Sequence, residues 1–316
     1  RPSRTRLAFL VATTTLSAWI SNTATAVIML PILSGTVRTR DDAPANEQAF
    51  ATSTLLTIAY AATIGGMATL VGSPPNGITV RLLERAGIDF GFVDWLVVGV
   101  PTAALIATLM HVSGMRRHAR DDVGVTLVPP VASASPITRG ERITLIAFGL
   151  AIVGWIVPDV AASFALPFGE TLARVLPASV VAMLASSILF FARDHNRERV
   201  LPWTEATKIE WGIVMLYAGG IALGEQMFET GLAASMSRAL LDVSGVTTVW
   251  GLTAVLLVFS CVFSEGCSNV ACVNMVLPLG IAAAIELGVS PIPPALAVGL
   301  GSSAGFMLPI ASAPNA

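Results

Sequence analysis

SNTATAVIMLPI at residues 21–32 and SNVACVNMVLPL at residues 268–279 are two versions of one stretch, and their agreement decides the fold. Each opens on Ser-Asn and places a proline nine residues after the Asn, at Pro31 and at Pro278. Short apolar runs flank each Ser-Asn, whereas a membrane-spanning helix needs about 20 apolar residues. Two such arms about a polar tip read as a re-entrant hairpin. Non-helical backbone at membrane depth is tolerated only where it lines a cavity or is buried in protein. A tip at that depth is therefore a place for chemistry.

Working outward, a second kind of interruption follows each hairpin. Gly72-Ser73-Pro74-Pro75-Asn76 breaks the stretch 47–86, and Ala311-Ser312-Ala313-Pro314-Asn315 breaks the last one. Gly66 and Gly305 precede these asparagines by ten positions. Four breaks in matching order divide the chain into two repeats. The first covers 1–117, with a hairpin at 4–37, a broken helix at 47–86 and a helix at 90–117. A cytoplasmic linker at 118–140, carrying Pro129-Pro130, Ser133 and Ser135-Pro136, leads to the second repeat at 141–316. There the expected elements are helices at 141–158 and 171–193, an interrupted helix at 209–241, a hairpin at 247–287 and the first part of a broken helix at 291–316.

Charge tests this layout. If each hairpin returns to the side it left and each broken helix spans, fourteen of the eighteen Lys and Arg residues share one side. Only Arg81, Arg85, Arg174 and Arg238 lie on the other. The positive-inside rule makes the first side cytoplasmic, so the first hairpin opens from the cytoplasmic face and the second from the outer face. The expected fold class is an all-α polytopic membrane protein of inverted repeats, with two re-entrant hairpins and two broken transmembrane helices. Paired interrupted segments of this kind mark a transporter's midplane site.

Composition agrees. Of 316 residues, 54% are hydrophobic and 12% charged, against about 25% charged in soluble domains; mean hydropathy is +0.76. A net charge of -2 offers no basic field for nucleic acid. Cys261, Cys267 and Cys272 sit in one apolar stretch, at spacings that fit neither a zinc site nor a disulfide framework, and read as packing residues. His111, His118 and His195 lie near run ends or in loops, and Trp95, Trp155, Trp203 and Trp211 fit an aromatic belt. No His lies near Ser21 or Ser268 in sequence, so neither serine has a nearby base and the chain reads as a non-enzyme without cofactor.

The breaks carry the chemistry. Half-helix N-termini present free N–H groups that suit anions, while half-helix C-termini and unwound carbonyls suit sodium. Ser17, Ser21, Asn22, Thr23, Gly72 and Ser73 form the first cluster; Ser264, Ser268, Asn269, Ala311 and Ser312 form the second. Neither contains Arg or Lys. The charge of a bound anion would be met by helix ends, amides and nearby cations, which is a physical reason for ion coupling. Glu265 beside the second tip is either a functional acid or a hydrogen-bond acceptor for tip backbone. Glu225 and Glu229 read as interfacial, and Gly220 and Gly224 as a close helix contact.

With GSPPNGI (72–78) and SSAGFMLPIASAPNA (302–316) beside the two hairpin stretches, the chain resembles the divalent anion:sodium symporter family of dicarboxylate, citrate and sulfate carriers. The resemblance implies sodium-coupled symport of small di- or tricarboxylates by an elevator movement, in a homodimer, in a membrane such as the bacterial inner (plasma) membrane. Asn22, Thr23, Ser268 and Asn269 would touch substrate, with Ser73 and Ser312 from the broken helices. Ser17, Ser21, Asn22 and Gly72 would form one sodium site; Ser264, Asn269 and Ala311 would form the other. A dicarboxylate exchanger, a sulfate carrier, and an arsenite-type or sodium–proton transporter of related architecture are the alternatives. Val270 stands where the family usually has Thr, and Ala313 where it usually has Pro. By the same resemblance the chain is a segment of a longer transporter, lacking scaffold helices before it and the second half of the last broken helix and the final helix after it.

Overall fold

Apolar runs interrupted by polar and Pro-Asn breaks should fold as helices that stop at the breaks, and they do. A computed structural model describes residues 2–36, 44–118, 136–164, 166–209 and 211–315. Most of the expected linker at 118–140 lies outside these residues, as do Arg1, Arg38, Arg40 and Arg120 of the charge count. The helices are α1 (Pro2–Ser17), α2 (Asn22–Thr36), α3 (Ala45–Ala68), α4 (Pro74–Arg85), α5 (Phe92–His118), α6 (Arg139–Ser163) and α7 (Gly169–Val175). They continue with α8 (Ala178–Phe191), α9 (Trp203–Ala206), α10 (Trp211–Glu229), α11 (Leu232–Ser244), α12 (Val249–Glu265), α13 (Asn269–Glu286) and α14 (Ile292–Ser302). Two short 3-10 turns, Pro309–Ala311 and Ala313–Asn315, follow. Among the described residues the one extended pairing is an isolated bridge between Arg193 and Arg199.

The described part forms two units. The first holds residues 1–90, 95–130 and 214–316. In it α1 and α2 turn back on each other through residues 18–21, and α12 and α13 do so through 266–268. At 16 residues α1 is about 24 Å long at ~1.5 Å per residue, short of the ~30 Å hydrocarbon core. α13, at 18 residues, is long and apolar enough to cross a membrane, and it packs along α12. Each hairpin lies on the first half of its own broken helix, α1 and α2 on α3, and α12 and α13 on α14. α4 packs against both α13 and α14. Ile78 and Leu82 of α4, Leu252 and Leu256 of α12, Leu277 of α13 and Val298 of α14 are wholly buried there.

α10 packs on this core through glycine. A Cβ at Gly220 would stand 1.7 Å from Asn274 Nδ2, and one at Gly224 would meet Leu82 and Pro278 at 3.3–3.4 Å. The expected close contact is thus with α13 and α4. Arg85 Nη2 meets Glu225 Oε1 at 2.5 Å, and Gln226 Nε2 donates to Glu229 at 2.9 Å. Trp95 departs from the aromatic-belt expectation: it is 1% exposed, and its Nε1 donates to Met67 O at 3.0 Å. Its position near a run end was a poor guide because the end of α3 offers an unspent carbonyl in the core.

The second unit holds residues 91–94 and 131–213. Thr138 and Glu141 form a capping box at the start of α6, satisfying orphan N–H groups on both sides. α6 runs through Pro158 to Ser163, past the expected end at 158. Asp159 Oδ2 accepts from Phe92 N at 2.8 Å and Val93 N at 3.2 Å, closing the first turn of α5. The single helix expected at 171–193 is instead α7 and α8, bent by 64°. Pro177 is the cause: a proline drives the residue before it out of the helical region, and Leu176 has φ -116° and ψ 59°. Leu145, Leu150, Val153, Met183 and Phe191 are exposed; faces of this kind suit hydrocarbon.

Candidate functional site

The first tip is built from the end of α1. Ser17 is fully buried, and its Oγ donates toward Asn22 Oδ1 at 2.9 Å and Ala62 O at 2.6 Å. Ser21 caps α2, its Oγ accepting from Ala24 N at 3.2 Å. Gly66 of α3 makes room for the tip, since a Cβ there would fall 2.2 Å from Asn22 Oδ1. A Cβ at Gly72 would lie 2.7 Å from Gly66 O and 3.1 Å from Ala18 O. The structure therefore brings Ser17, Asn22 and Gly72 to one place, against the end of α3. Thr23 is exposed on the first turn of α2, and Ser73 is buried at the start of α4.

The break behind this tip is held by an amide. Asn76 is fully buried; its Nδ2 donates to Gly66 O and Thr69 O, both at 2.7 Å. Carbonyls at the end of a helix lack intrahelical partners, and here one side chain serves two of them. Asn76 Oδ1 has no protein partner among the described residues. The Thr69 hydroxyl donates to Ala18 O and ties break to tip.

The second site repeats the clamp. Asn315 Nδ2 donates to Gly305 O at 3.0 Å and Leu308 O at 3.3 Å. These acceptors lie ten and seven residues back, as they do for Asn76. Ser73 (φ -147°, ψ 141°) and Ser312 (φ -150°, ψ 137°) share a conformation. Each accepts from the Asn three residues on, at 3.1 and 2.9 Å. Ser268 caps α13 by accepting from Ala271 N at 3.2 Å, as Ser21 caps α2. Ser264 is buried and donates within its own helix, to Cys261 O at 3.0 Å.

Asn269 differs from Asn22 in its partners. One end of its carboxamide lies 2.9 Å from Ser302 O and 3.0 Å from Ala311 O. With nitrogen facing them, both contacts are hydrogen bonds. Turned over, which without a cation would set oxygen against oxygen, the carboxamide would bring three neutral oxygens together, the kind of ligand set that unwound helices offer sodium. The first site likewise gathers only oxygens, from Ser17, Asn22 and the carbonyl of Ala62. The residues present fit a hard cation, and among the described residues no His/Cys/Asp/Glu group fits a transition metal.

Sequence reasoning missed the carbonyls of Ala62 and Ser302, the clamps Asn76 and Asn315, and the Thr69 hydroxyl. The ten-residue Gly–Asn spacing was visible and would have found the clamps. Nothing in a sequence marks which carbonyls are left free. The end of α14 also differs from expectation: the helix stops at Ser302, whereas the apolar run continues to 310. The turn 313–315 then packs against α2 and α3, and Phe306 meets Tyr60 edge-on at 5.5 Å. The second break thus lies beside the first hairpin.

The model of a family described as "Citrate transporter" matches residues 1–301. The sodium-dependent dicarboxylate transporter SdcS of Staphylococcus saprophyticus subsp. saprophyticus is 29% identical over 329 residues. Its counterpart in Staphylococcus aureus strain USA300 is 30% identical over 330 residues. Each alignment takes in 99% of this chain and 62% of the relative, so the chain spans about three-fifths of the length of these relatives.

Proposed function

The chain belongs to the citrate transporter family, a family of membrane transporters rather than enzymes, and from that premise we propose that it forms the ion- and substrate-binding part of a sodium-coupled symporter for small di- and tricarboxylates. The observation that carries this is the pair of matched oxygen-lined breaks. Asn76 and Asn315 clamp carbonyls at the same two offsets, and each clamped break faces a Ser-Asn tip. Sodium is bound at Ser17, Ser21, Asn22 and Gly72 in the first site, and at Ser264, Asn269 and Ala311 in the second. Substrate carboxylates lie between the tips, against Asn22, Thr23, Ser268 and Asn269, with Ser73 and Ser312 at the edges. The names of the staphylococcal relatives support dicarboxylate as substrate class and sodium as coupling ion.

The two repeats, 1–117 and 141–316, are inverted in the membrane. The part carrying both hairpins moves as an elevator against the rest of a homodimer, in the bacterial inner membrane. No cationic side chain is needed at the substrate: N-terminal N–H groups of α2 and α13, amides and bound sodium supply the positive potential.

The full-length transporter in liposomes tests this by labelled-succinate uptake with and without an inward sodium gradient, with citrate and sulfate as competitors. Uptake driven by sodium and competed by dicarboxylates is expected. Uptake driven by internal dicarboxylate alone would make it an exchanger, and competition by sulfate alone a sulfate carrier. Sodium-independent proton movement without anion uptake would favour the ion-transporter alternative.

A further inference from the structure

Glu265 is 7% exposed, and its two oxygens accept four hydrogen bonds from three consecutive backbone amides. Phe306 N and Met307 N donate to Oε1 at 2.9 and 3.1 Å; Met307 N and Leu308 N donate to Oε2 at 3.0 and 2.9 Å. The acceptor serves the broken helix and not the hairpin tip. In the register set by Asn76 and Asn315, residues 306–308 correspond to 67–69. Met67 and Ala68 are still helical in α3, while α14 has already ended at Ser302. The second broken helix therefore unwinds five residues earlier than the first. Early unwinding strips amides of their helical acceptors, and unpaired amides at membrane depth cost several kcal/mol each. Glu265 supplies the replacement. In the hairpin register its counterpart is Ala18, which has no side-chain acceptor to give.

Unwinding at Ser302 also frees the carbonyl that Asn269 meets. Charge-assisted bonds to backbone N–H are the strong ones, so the carboxylate fixes the path from Ser302 to Leu308 on which that carbonyl depends. We propose that Glu265 is a positioning residue for the second cation site: it holds residues 303–308 unwound so that Ser302 O and Ala311 O converge on Asn269. The inference rests on the sodium-coupled reading above and makes the two cation sites unequal, the second braced by a buried acid where the first has Ala18.

The test uses the full-length transporter with Glu265→Gln and Glu265→Asp, read in two ways. In liposomes, Glu265→Gln should raise the sodium concentration for half-maximal succinate uptake about tenfold, through loss of charged acceptor bonds. Succinate KM at saturating sodium should stay within about twofold. Glu265→Asp keeps both oxygens and should fall between wild type and Glu265→Gln; it decides the matter if Glu265→Gln does not insert. In detergent, amides 306–308 should exchange hydrogen faster in Glu265→Gln, while 67–69 stay as in wild type. Uptake lowered only in proportion to inserted protein, with unchanged sodium half-saturation and unchanged exchange at 306–308, overturns the proposal. A wild type indifferent to sodium overturns the symport reading instead, a result the same experiment separates.

Discussion

The first and second sites share a clamp and differ in how the broken helix behind it is tied to the hairpin. Asn76 and Asn315 each hold carbonyls ten and seven residues back, and Ser73 and Ser312 each start the turn that delivers them. Around the first clamp, α3 stays helical to Ala68, and one hydroxyl, that of Thr69, ties break to tip. Around the second, the helix is lost at Ser302, and the carboxylate of Glu265 does the tying. A broken helix thus needs its free carbonyls served by one amide, while its free amides are either kept in helix or given an acid. The clamp is dictated by backbone geometry; the tie is open to more than one chemistry.

Substitutions can break or sharpen that comparison. Outside the tip asparagines themselves, the largest effect is expected at Gly66. A Cβ there falls 2.2 Å from Asn22 Oδ1, against 2.8 Å from Ala311 Cβ and 3.2 Å from Ser264 Oγ for one at Gly305. Gly66→Ala should lower sodium-driven uptake about 100-fold by displacing a ligand-bearing side chain. Gly305→Ala should lower it about tenfold, the cost of overpacking with room to relax. Equal losses, measured per inserted molecule, would show that the two tips are not gated by their glycines in this order.

Next come the clamps. Asn76 is fully buried, whereas Asn315 is partly exposed. Asn76→Ala should destabilise the purified transporter by about 3 kcal/mol, and Asn315→Ala by about 1 kcal/mol, because stranded buried carbonyls cost more than wet ones. Thermal denaturation in detergent reads the difference, and a larger loss at Asn315 would reverse the assignment. Thr69→Val removes one hydroxyl–carbonyl bond and should cost about 1 kcal/mol. The smallest change is Val270→Thr, which restores on the second tip the hydroxyl that Thr23 carries on the first. Succinate KM should move by less than about fivefold, one hydrogen bond's worth, with sodium half-saturation unmoved.

Much of this was legible in the sequence because the same residues that break a helix also announce themselves. Ser-Asn tips, Pro-Asn breaks and the Gly66/Gly305 register anticipated the interruptions at 18–21, 69–73 and 266–268 and the closeness of Ser17, Asn22 and Gly72. Trp95 misled, since a run end looks the same whether it meets headgroups or a core carbonyl. Leu176-Pro177 looked like the interior of one apolar run, and its bend follows from local sterics that hydropathy does not register. The early end of α14 was hidden for a different reason. Residues 303–308 are apolar enough to continue a helix, and the amides freed at 306–308 are met by a carboxylate 41–43 residues upstream. Glu265 was visible as a buried acid, but its partners are backbone amides, which have no letter in a sequence.

The central claim is that both Ser-Asn tips serve one coupled binding event. It is tested most directly by sodium-driven uptake of labelled succinate into liposomes bearing the full-length transporter, as wild type, Asn22→Ala and Asn269→Ala, each normalised to inserted protein. Either substitution alone should abolish uptake while the protein stays folded and inserted. Full sodium-driven uptake in either variant would contradict the claim, leaving that tip as a structural turn and the site on one half of the molecule.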